Sequence, residues 1–600
     1  MIAADIANFG PDSLRSAVPE LFELASRAAT VEDLRAELSD LCHRTEFEAF
    51  DDYSGVSEGS IIRVRDAARM LRRILTRRSE DRAGFSVCQA IKDISDGIPR
   101  PDLSPAFYAD LYHVLVGLRG RGAGVEPAGH HLRPSQTTGR EAAVERSGQL
   151  DELSERMEQH SDRYESGLDQ DSVERRRLRR LRVMEQLGAT EAKWYDWRWQ
   201  VGHIIRDAEE ITKLVNLTHQ EFDAIRRARR HRVPFGVTPY YLSLMDDVSE
   251  RNRDASIRAQ VFPPPAYVDE LSSADRRERE RMDFMREADT SPVDLITRRY
   301  PRICIFKPFN TCPQICVYCQ RNWEIEDAMA PGALASRAEI RAGLQWIREH
   351  PSISEVLVTG GDPLAMANAN VKMILDGLAE IESVTRIRVG SRTPVTLPMR
   401  ITEELADLLV SYREPGRRQM SLVTHAQHVY EITPETAEAV ERLRIRGIPV
   451  YNQLVYTFFV SRRFEAVKLR RELARIGIDP YYTFNTKGKE ETVDYRVPIA
   501  RLVQEQKEEA RLLPGLTRTD EAVYNVPGLG KSYLRARQHR DIIAILPHGA
   551  RLYEFHPWET GIASDFDTYL GEDVPILDYL QRLEAFGEDI RDYDTIWYYF

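Results

Sequence analysis

The chain has 600 residues, 42% of them hydrophobic, enough for roughly two to four domains with sizeable cores. Its 95 acidic against 83 basic residues leave a formal net charge of −12, which argues against a general nucleic-acid binder, whose phosphate contacts call for a basic surface. No apolar run approaches the ~18 residues of a membrane span, no charged-then-apolar segment opens the chain, and six cysteines without an even framework point to a reducing compartment, the cytoplasm.

Residues 1–118 read as a helical N-terminal extension, apolar at helical spacing in Leu14 to Arg27, Val31 to Cys42 and Ile61 to Leu75. No catalytic motif is visible there. From 119 to 172 the composition turns to Gly, Pro, Ser, His and charge, which reads as a linker or weakly ordered segment. A second helical segment covers 173–298. Its run Glu174-Arg-Arg-Arg-Leu-Arg-Arg-Leu-Arg182 reads as a solvated helix face. The aromatic stripes Trp194-Tyr-Asp-Trp-Arg-Trp199 and Val237-Thr-Pro-Tyr-Tyr-Leu-Ser-Leu-Met-Asp246 read as core or interface.

After Tyr300 short apolar runs alternate with amphipathic helices. The spacing predicts strands at 302–306, 355–359, 386–389, 420–424, 450–456 and 481–484, with helices at 337–350, 371–381, 403–412, 434–446 and 463–476. Strands alternating with helices make an α/β fold with a parallel sheet, here a partial or complete barrel over 299–540 with function at the C-terminal strand ends. Residues 541–600 are left as a C-terminal segment.

Cys312-Pro-Gln-Ile-Cys316-Val-Tyr-Cys319 carries the chemistry. Thiolates at this spacing can hold three corners of a [4Fe-4S] cluster, leaving one iron free to bind an exchangeable ligand. A structural zinc site is the other reading of closely spaced cysteines. Zinc wants four ligands, however, and Cys42, Cys88 and Cys304 are isolated. Cys304, in an apolar stretch, reads as a small buried hydrophobe. Gly360-Gly361-Asp362-Pro363 follows the second strand, where glycines allow close approach of backbone to a ligand; alone it reads equally as a strand-exit turn. Thr424-His425 ends a later strand, and Asn452-Gln453 is an amide pair in an apolar run.

The cysteine motif resembles that of radical S-adenosylmethionine (SAM) enzymes. From about Trp194 to Glu559 the chain resembles more narrowly the pyridoxal phosphate (PLP)-dependent radical SAM amino-acid 2,3-aminomutases, of which lysine 2,3-aminomutase is the best-known kind. The likeness runs through Trp197-Arg-Trp-Gln200, Arg299-Tyr-Pro301, the cysteines, Val358-Thr-Gly-Gly-Asp-Pro-Leu364, Gly390-Ser-Arg-Thr-Pro-Val395, Thr424-His425, Asn452-Gln453, Pro480-Tyr-Tyr482 and Pro527-Gly-Leu-Gly-Lys531. The resemblance implies a partial (β/α)6 barrel preceded by helical regions. It implies Cys312, Cys316 and Cys319 as cluster ligands and Gly360, Gly361, Asp362, His425 and Gln453 as SAM contacts. Lys531 would hold PLP as a Schiff base, Arg299, Tyr300 and Arg302 would cradle its phosphate, and Arg321 would clamp the substrate α-carboxylate. On its own Lys531 reads as readily as a surface lysine after a loop. The implied reaction is radical migration of an amino group from the α- to the β-carbon of an amino acid, started by a 5′-deoxyadenosyl radical. The implied partners are the amino-acid substrate and an electron-donating flavodoxin or ferredoxin system. Oligomers occur in the family, and the added N-terminal region can alter that.

The chain departs from the lysine enzymes where they bind the distal ammonium with two aspartates, positions that here read Lys487 and Asn525. Two ammonium groups at ~4 Å repel by about 4 kcal/mol at an effective dielectric near 20, roughly three decades of affinity. The pair suits a distal carboxylate and resembles the glutamate 2,3-aminomutase branch; aspartate is a shorter acid that fits the same charges. Phe484 replaces a tyrosine near the PLP, and the cysteine-rich zinc segment of the lysine enzymes is absent.

Overall fold

The protein is described by a computed structural model over residues 9–49, 58–120, 136–247, 253–273, 282–486, 490–558 and 568–600. The strand-helix alternation after Tyr300 builds one sheet whose strands lie side by side in chain order: β1 (Ile296–Thr297), β2 (Ile303–Phe309), β3 (Glu355–Gly360), β4 (Arg386–Gly390), β5 (Gln419–Thr424), β6 (Val450–Tyr456), β7 (Ile478–Asn485), β8 (Glu521–Val526) and β9 (Gly530–Tyr533). Strands β2 to β8 are parallel, and β1 and β9 are antiparallel additions at the two ends. Helices Arg337–Arg348, Asn368–Ala379, Glu403–Val410, Pro434–Arg444, Glu465–Arg475 and Ile499–Leu512 fill the crossovers. The result is six strand-helix units and a seventh parallel strand. Among the described residues nothing pairs β1 with β9, so the barrel is partial, the α/β class expected.

Period-two burial orients strands β2, β4 and β6. On β6, buried Val450, Asn452, Leu454 and Tyr456 alternate with half-buried Tyr451, Gln453 and Val455, so Gln453 faces the barrel interior while its neighbour faces the packed layer. Local signals start the helices. Glu339 N–H donates to Ser336 Oγ at 3.2 Å and Ser336 N–H to Glu339 Oε2 at 2.7 Å, a capping box worth about 1 kcal/mol.

The second sheet was not foreseen. Antiparallel strands β10 (Arg540–Ile545), β11 (Arg551–Phe555) and β12 (Tyr569–Glu572) belong to what was read as a C-terminal segment. Helices of the N-terminal extension fold onto it. The buried Arg551 guanidinium donates to Asp110 at 2.8 and 2.7 Å and to the carbonyls of Trp597 and Tyr599 at 2.7 and 2.8 Å. The His113 ring stacks on Trp597 with centroids 4.4 Å apart. The Asp110–Arg551 bonds join residues 441 positions apart in sequence.

Two expectations are corrected here. The stretch 119–172 is not all linker: Gly139–Ser161 is an α-helix, because beyond the Gly- and Pro-rich 120–139 the sequence turns to Ala, Glu, Gln, Leu and Arg, good helix formers. Part of the stretch, 121–135, lies outside the described residues. The arginine run is not simply a solvated face either. Arg176 and Arg179 are buried, three positions apart on the helix side that meets the barrel. Arg179 donates to Tyr430 Oη at 2.9 Å and pairs with Asp246 at 2.9 Å. Cys304 is buried as expected.

Candidate active site

The cysteine loop leaves the end of β2 without secondary structure of its own and is tied down from outside the barrel. Val317 N–H donates to Gln260 O at 3.0 Å and Ile315 N–H to Gly236 O at 3.4 Å, while Met329 N–H holds Cys312 O at 3.1 Å. Gln260 and Gly236 belong to the helical arm before the barrel. Donors also reach the sulfurs: Arg392 Nη1 lies 2.8 Å from Cys316 Sγ and Arg321 N–H 3.4 Å from Cys319 Sγ. Burial, then Asp362 and the neighbouring thiols, push the Cys312 thiol well above its ordinary range; a coordinating metal ion reverses that and deprotonates a thiol outright. Among the described residues no three His, Cys, Asp or Glu side chains converge on a single ion, and a cluster that takes one thiolate per iron does not need them to.

The glycine turn fits against this loop. Gly360 has φ +112°, and a Cβ on Gly361 would collide with the Thr311 backbone, so only glycine lets the β3 turn touch the residue preceding Cys312. The Asp362 carboxylate accepts from Ser391 Oγ at 2.6 Å, Arg392 N–H at 2.9 Å and Leu364 N–H at 3.1 Å. It therefore ties the β3 and β4 turns together. His425 lies at the end of β5, its Nδ1 2.5 Å from Gln453 O and its Nε2 2.8 Å from Tyr318 Oη. Burial, and then the charge of Arg392, lower its pKa to about 4, so the ring is neutral at pH 7. The amide pair divides its work. Asn452 pins the Ala426 backbone through both amide atoms, at 2.7 and 3.0 Å, and leaves Gln453 facing the interior. The cysteines, the glycine turn, His425 and Gln453 are thus brought together at the C-terminal strand ends.

Lys531 stands in the β8–β9 ladder directly opposite Asn525. Its Nζ lies 5.2 Å from the ring centre of Tyr300 and 5.6 Å from those of Tyr482 and Trp558. Trp558 Nε1 donates to Tyr300 Oη at 2.9 Å, which fixes two of these walls. An amine enclosed by three aromatic faces fits an aromatic cofactor. Arg299 donates to the Met285 carbonyl. Arg302 is exposed at the foot of β2, one residue too early for its side chain to share the interior-facing parity of Ile303, Ile305 and Lys307. Arg321 is buried, its guanidinium paired with Glu287 and Glu324. Lys487 lies outside the described residues.

Several residues of the site carried no role in the sequence reading. Arg392 lies in the quoted Gly-Ser-Arg-Thr-Pro stretch, and Tyr318 lies between two of the cysteines. Arg388, which donates to Tyr481 Oη at 2.8 Å, alternates with Ile387 and Val389, and that alternation was a signal for an interior-facing arginine. Glu287 had none, since it enters from a segment preceding the first strand.

The three-cysteine loop, glycine turn and partial barrel define a radical SAM protein. The family model described as the Radical SAM superfamily matches residues 306–466. An uncharacterized KamA family protein of Methanocaldococcus jannaschii is 40% identical over 98% of this chain and 97% of its own length. The glutamate 2,3-aminomutase of Clostridioides difficile is 33% identical over 54% of this chain and 72% of its own. The L-lysine 2,3-aminomutase of Bacillus subtilis is 32% identical over 52% and 62%. The chain belongs to the KamA family, whose cofactors are a [4Fe-4S] cluster, SAM and PLP. The N-terminal extension is shared along the full length of the archaeal relative. Among the described residues no helix is long and apolar enough to cross a membrane.

Proposed function

We propose that this radical SAM aminomutase moves the amino group of an acidic amino acid from the α- to the β-carbon, with L-glutamate as substrate. The single observation behind the choice of substrate is the pair Lys487 and Asn525, which offers a cation and an amide where the lysine enzymes offer two carboxylates. Overall identity does not discriminate, at 33% to the glutamate and 32% to the lysine enzyme.

When bound, the cofactors supply the radical and the electron sink; the protein's own residues position, shield and orient. Cys312, Cys316 and Cys319 hold the cluster. The Gly360-Gly361 turn and Gln453 present backbone and amide to SAM, while Asp362 holds the turn. His425, neutral at pH 7 and engaged at both nitrogens, fixes the roof of the site. Lys531 would hold the PLP, its amine set among the rings of Tyr300, Tyr482 and Trp558. Arg299, Tyr300 and Arg302 would serve the phosphate, Arg302 from the exposed foot of β2.

Arg321 receives the α-carboxylate by exchange. Its Nη1 is paired with Glu287, which Lys307 also holds at 3.3 Å, and its Nη2 with Glu324. Its Nε is buried with no hydrogen-bond partner. A carboxylate taking the Nε–Nη2 edge bidentately displaces Glu324 and leaves Glu287 in place. Arg321→Lys loses the fork and is expected to raise KM for the amino acid by about ten- to a hundredfold, the ~1.5–3 kcal/mol of a charge-assisted bond. Glu324→Gln is expected to lower KM. Steady-state kinetics on both variants check this, and a raised KM in Glu324→Gln counts against the exchange.

The substrate is tested by anaerobic incubation of reconstituted protein with PLP, SAM, dithionite and, separately, glutamate, aspartate or lysine, with products resolved by mass and chromatography. β-Glutamate is the expected product. Turnover of lysine alone sinks the substrate and keeps the reaction class; SAM cleavage without any β-amino acid points to another amino acid.

A further inference from the structure

The Gly390-Ser-Arg392 stretch brings a guanidinium to the cluster loop, and the proposed reaction leaves that group without a task. Arg392 is held on every nitrogen. Its Nη1 lies 2.8 Å from Cys316 Sγ, its Nη2 donates to Glu431 Oε1 at 2.7 Å and to Gln260 Oε1, and its Nε donates to His425 O at 3.1 Å. Its own N–H is bonded to Asp362. The side chain cannot turn away from the sulfur without breaking several of these bonds.

Glu431 is fixed just as firmly and is 0% exposed. Its Oε1 also accepts from Tyr241 Oη at 2.6 Å, and its Oε2 from the N–H groups of Gln427 and His428 at 2.6 and 3.1 Å. Those three donors are neutral, so the charge of the buried carboxylate is met by Arg392. The arginine is therefore oriented by Glu431 and directed at the thiolate.

Hydrogen bonds to cluster sulfurs and net charge nearby are the protein's means of setting a reduction potential. The reduced cluster carries one more negative charge than the oxidised one, so a cation on a ligand sulfur favours reduction, and an anion behind that cation weakens the effect. We propose that Arg392 is a positioning residue of the cluster that raises its reduction potential through Cys316, with Glu431 as the counter-ion that sets how far. The proposal rests on Cys316 as a cluster ligand, and iron content reports on that separately.

The full chain, its R392K, R392Q and E431Q variants, each reconstituted with iron and sulfide, are titrated anaerobically while the reduced cluster is followed by electron paramagnetic resonance. At the parent's midpoint, R392Q is expected to hold about tenfold less reduced than oxidised cluster, which is about 59 mV for a one-electron couple. R392K, which keeps the charge and loses the fork, shifts less in the same direction. E431Q shifts the opposite way. A general loosening of the site would move R392Q and E431Q together, and that result overturns the proposal. So does an unchanged potential in R392Q with full iron content, including the case in which only SAM affinity falls, since Arg392 then serves SAM and not the cluster. Should R392Q fail to fold, the signs of R392K and E431Q decide alone. Loss of iron from Cys316→Ala but not from R392Q separates ligand from positioning residue.

Discussion

Cys316→Ala is expected to abolish turnover of every amino acid and to strip the reconstituted protein of its four-iron cluster. Two remaining thiolates leave a second iron without a protein ligand, and the site at which SAM should bind is no longer unique. The measurement is iron and sulfide content together with the visible absorbance of the cluster. Cys304→Ala is the matched control. Cys304 is buried in β2, alternating with half-buried Ile303 and Ile305, so its sulfur faces the packed layer and not the interior. Its replacement should leave iron content unchanged and cost about 1 kcal/mol or less of stability, as a small buried group does. Full iron content in Cys316→Ala would remove the basis of the radical reading of this loop.

Asp110→Ala should cost about 3–5 kcal/mol, because it removes the carboxylate that meets the charge of the buried Arg551 guanidinium and leaves its bonds to the carbonyls of Trp597 and Tyr599. Replacing both partners, Asp110→Leu with Arg551→Met, should recover most of the loss, since well-packed apolar pairs commonly match a buried ion pair. Urea unfolding of the two variants beside the parent tests both statements. A small loss in Asp110→Ala would mean that the extension is an appendage; a large one makes residues 9–49 and 58–120 part of the same cooperative structure as the C-terminal sheet.

The barrel was legible because its signals are local. Strands β2 to β7 are short apolar runs each followed by an amphipathic helix, and the expected strand at 450–456 coincides with β6. The cofactor loop was legible for the same reason, as three cysteines within eight residues. What escaped is carried by distant partners. Strands β8 and β9 interleave Asn525 and Lys531 with small and apolar residues, so neither showed period-two alternation strongly. The union of extension and C-terminal sheet depends on Asp110 meeting Arg551, and Arg321 is held by Glu287; no spacing rule connects such pairs.

The cysteine loop depends on Gly236 and Gln260. The loop is made of turns and bends, and the amides of Ile315 and Val317 are satisfied by a chain segment that precedes the barrel. A barrel folded without that arm would present its thiols on an unanchored loop. The arm thereby helps to shape the loop that presents the thiols, a support supplied from outside the domain that carries the chemistry.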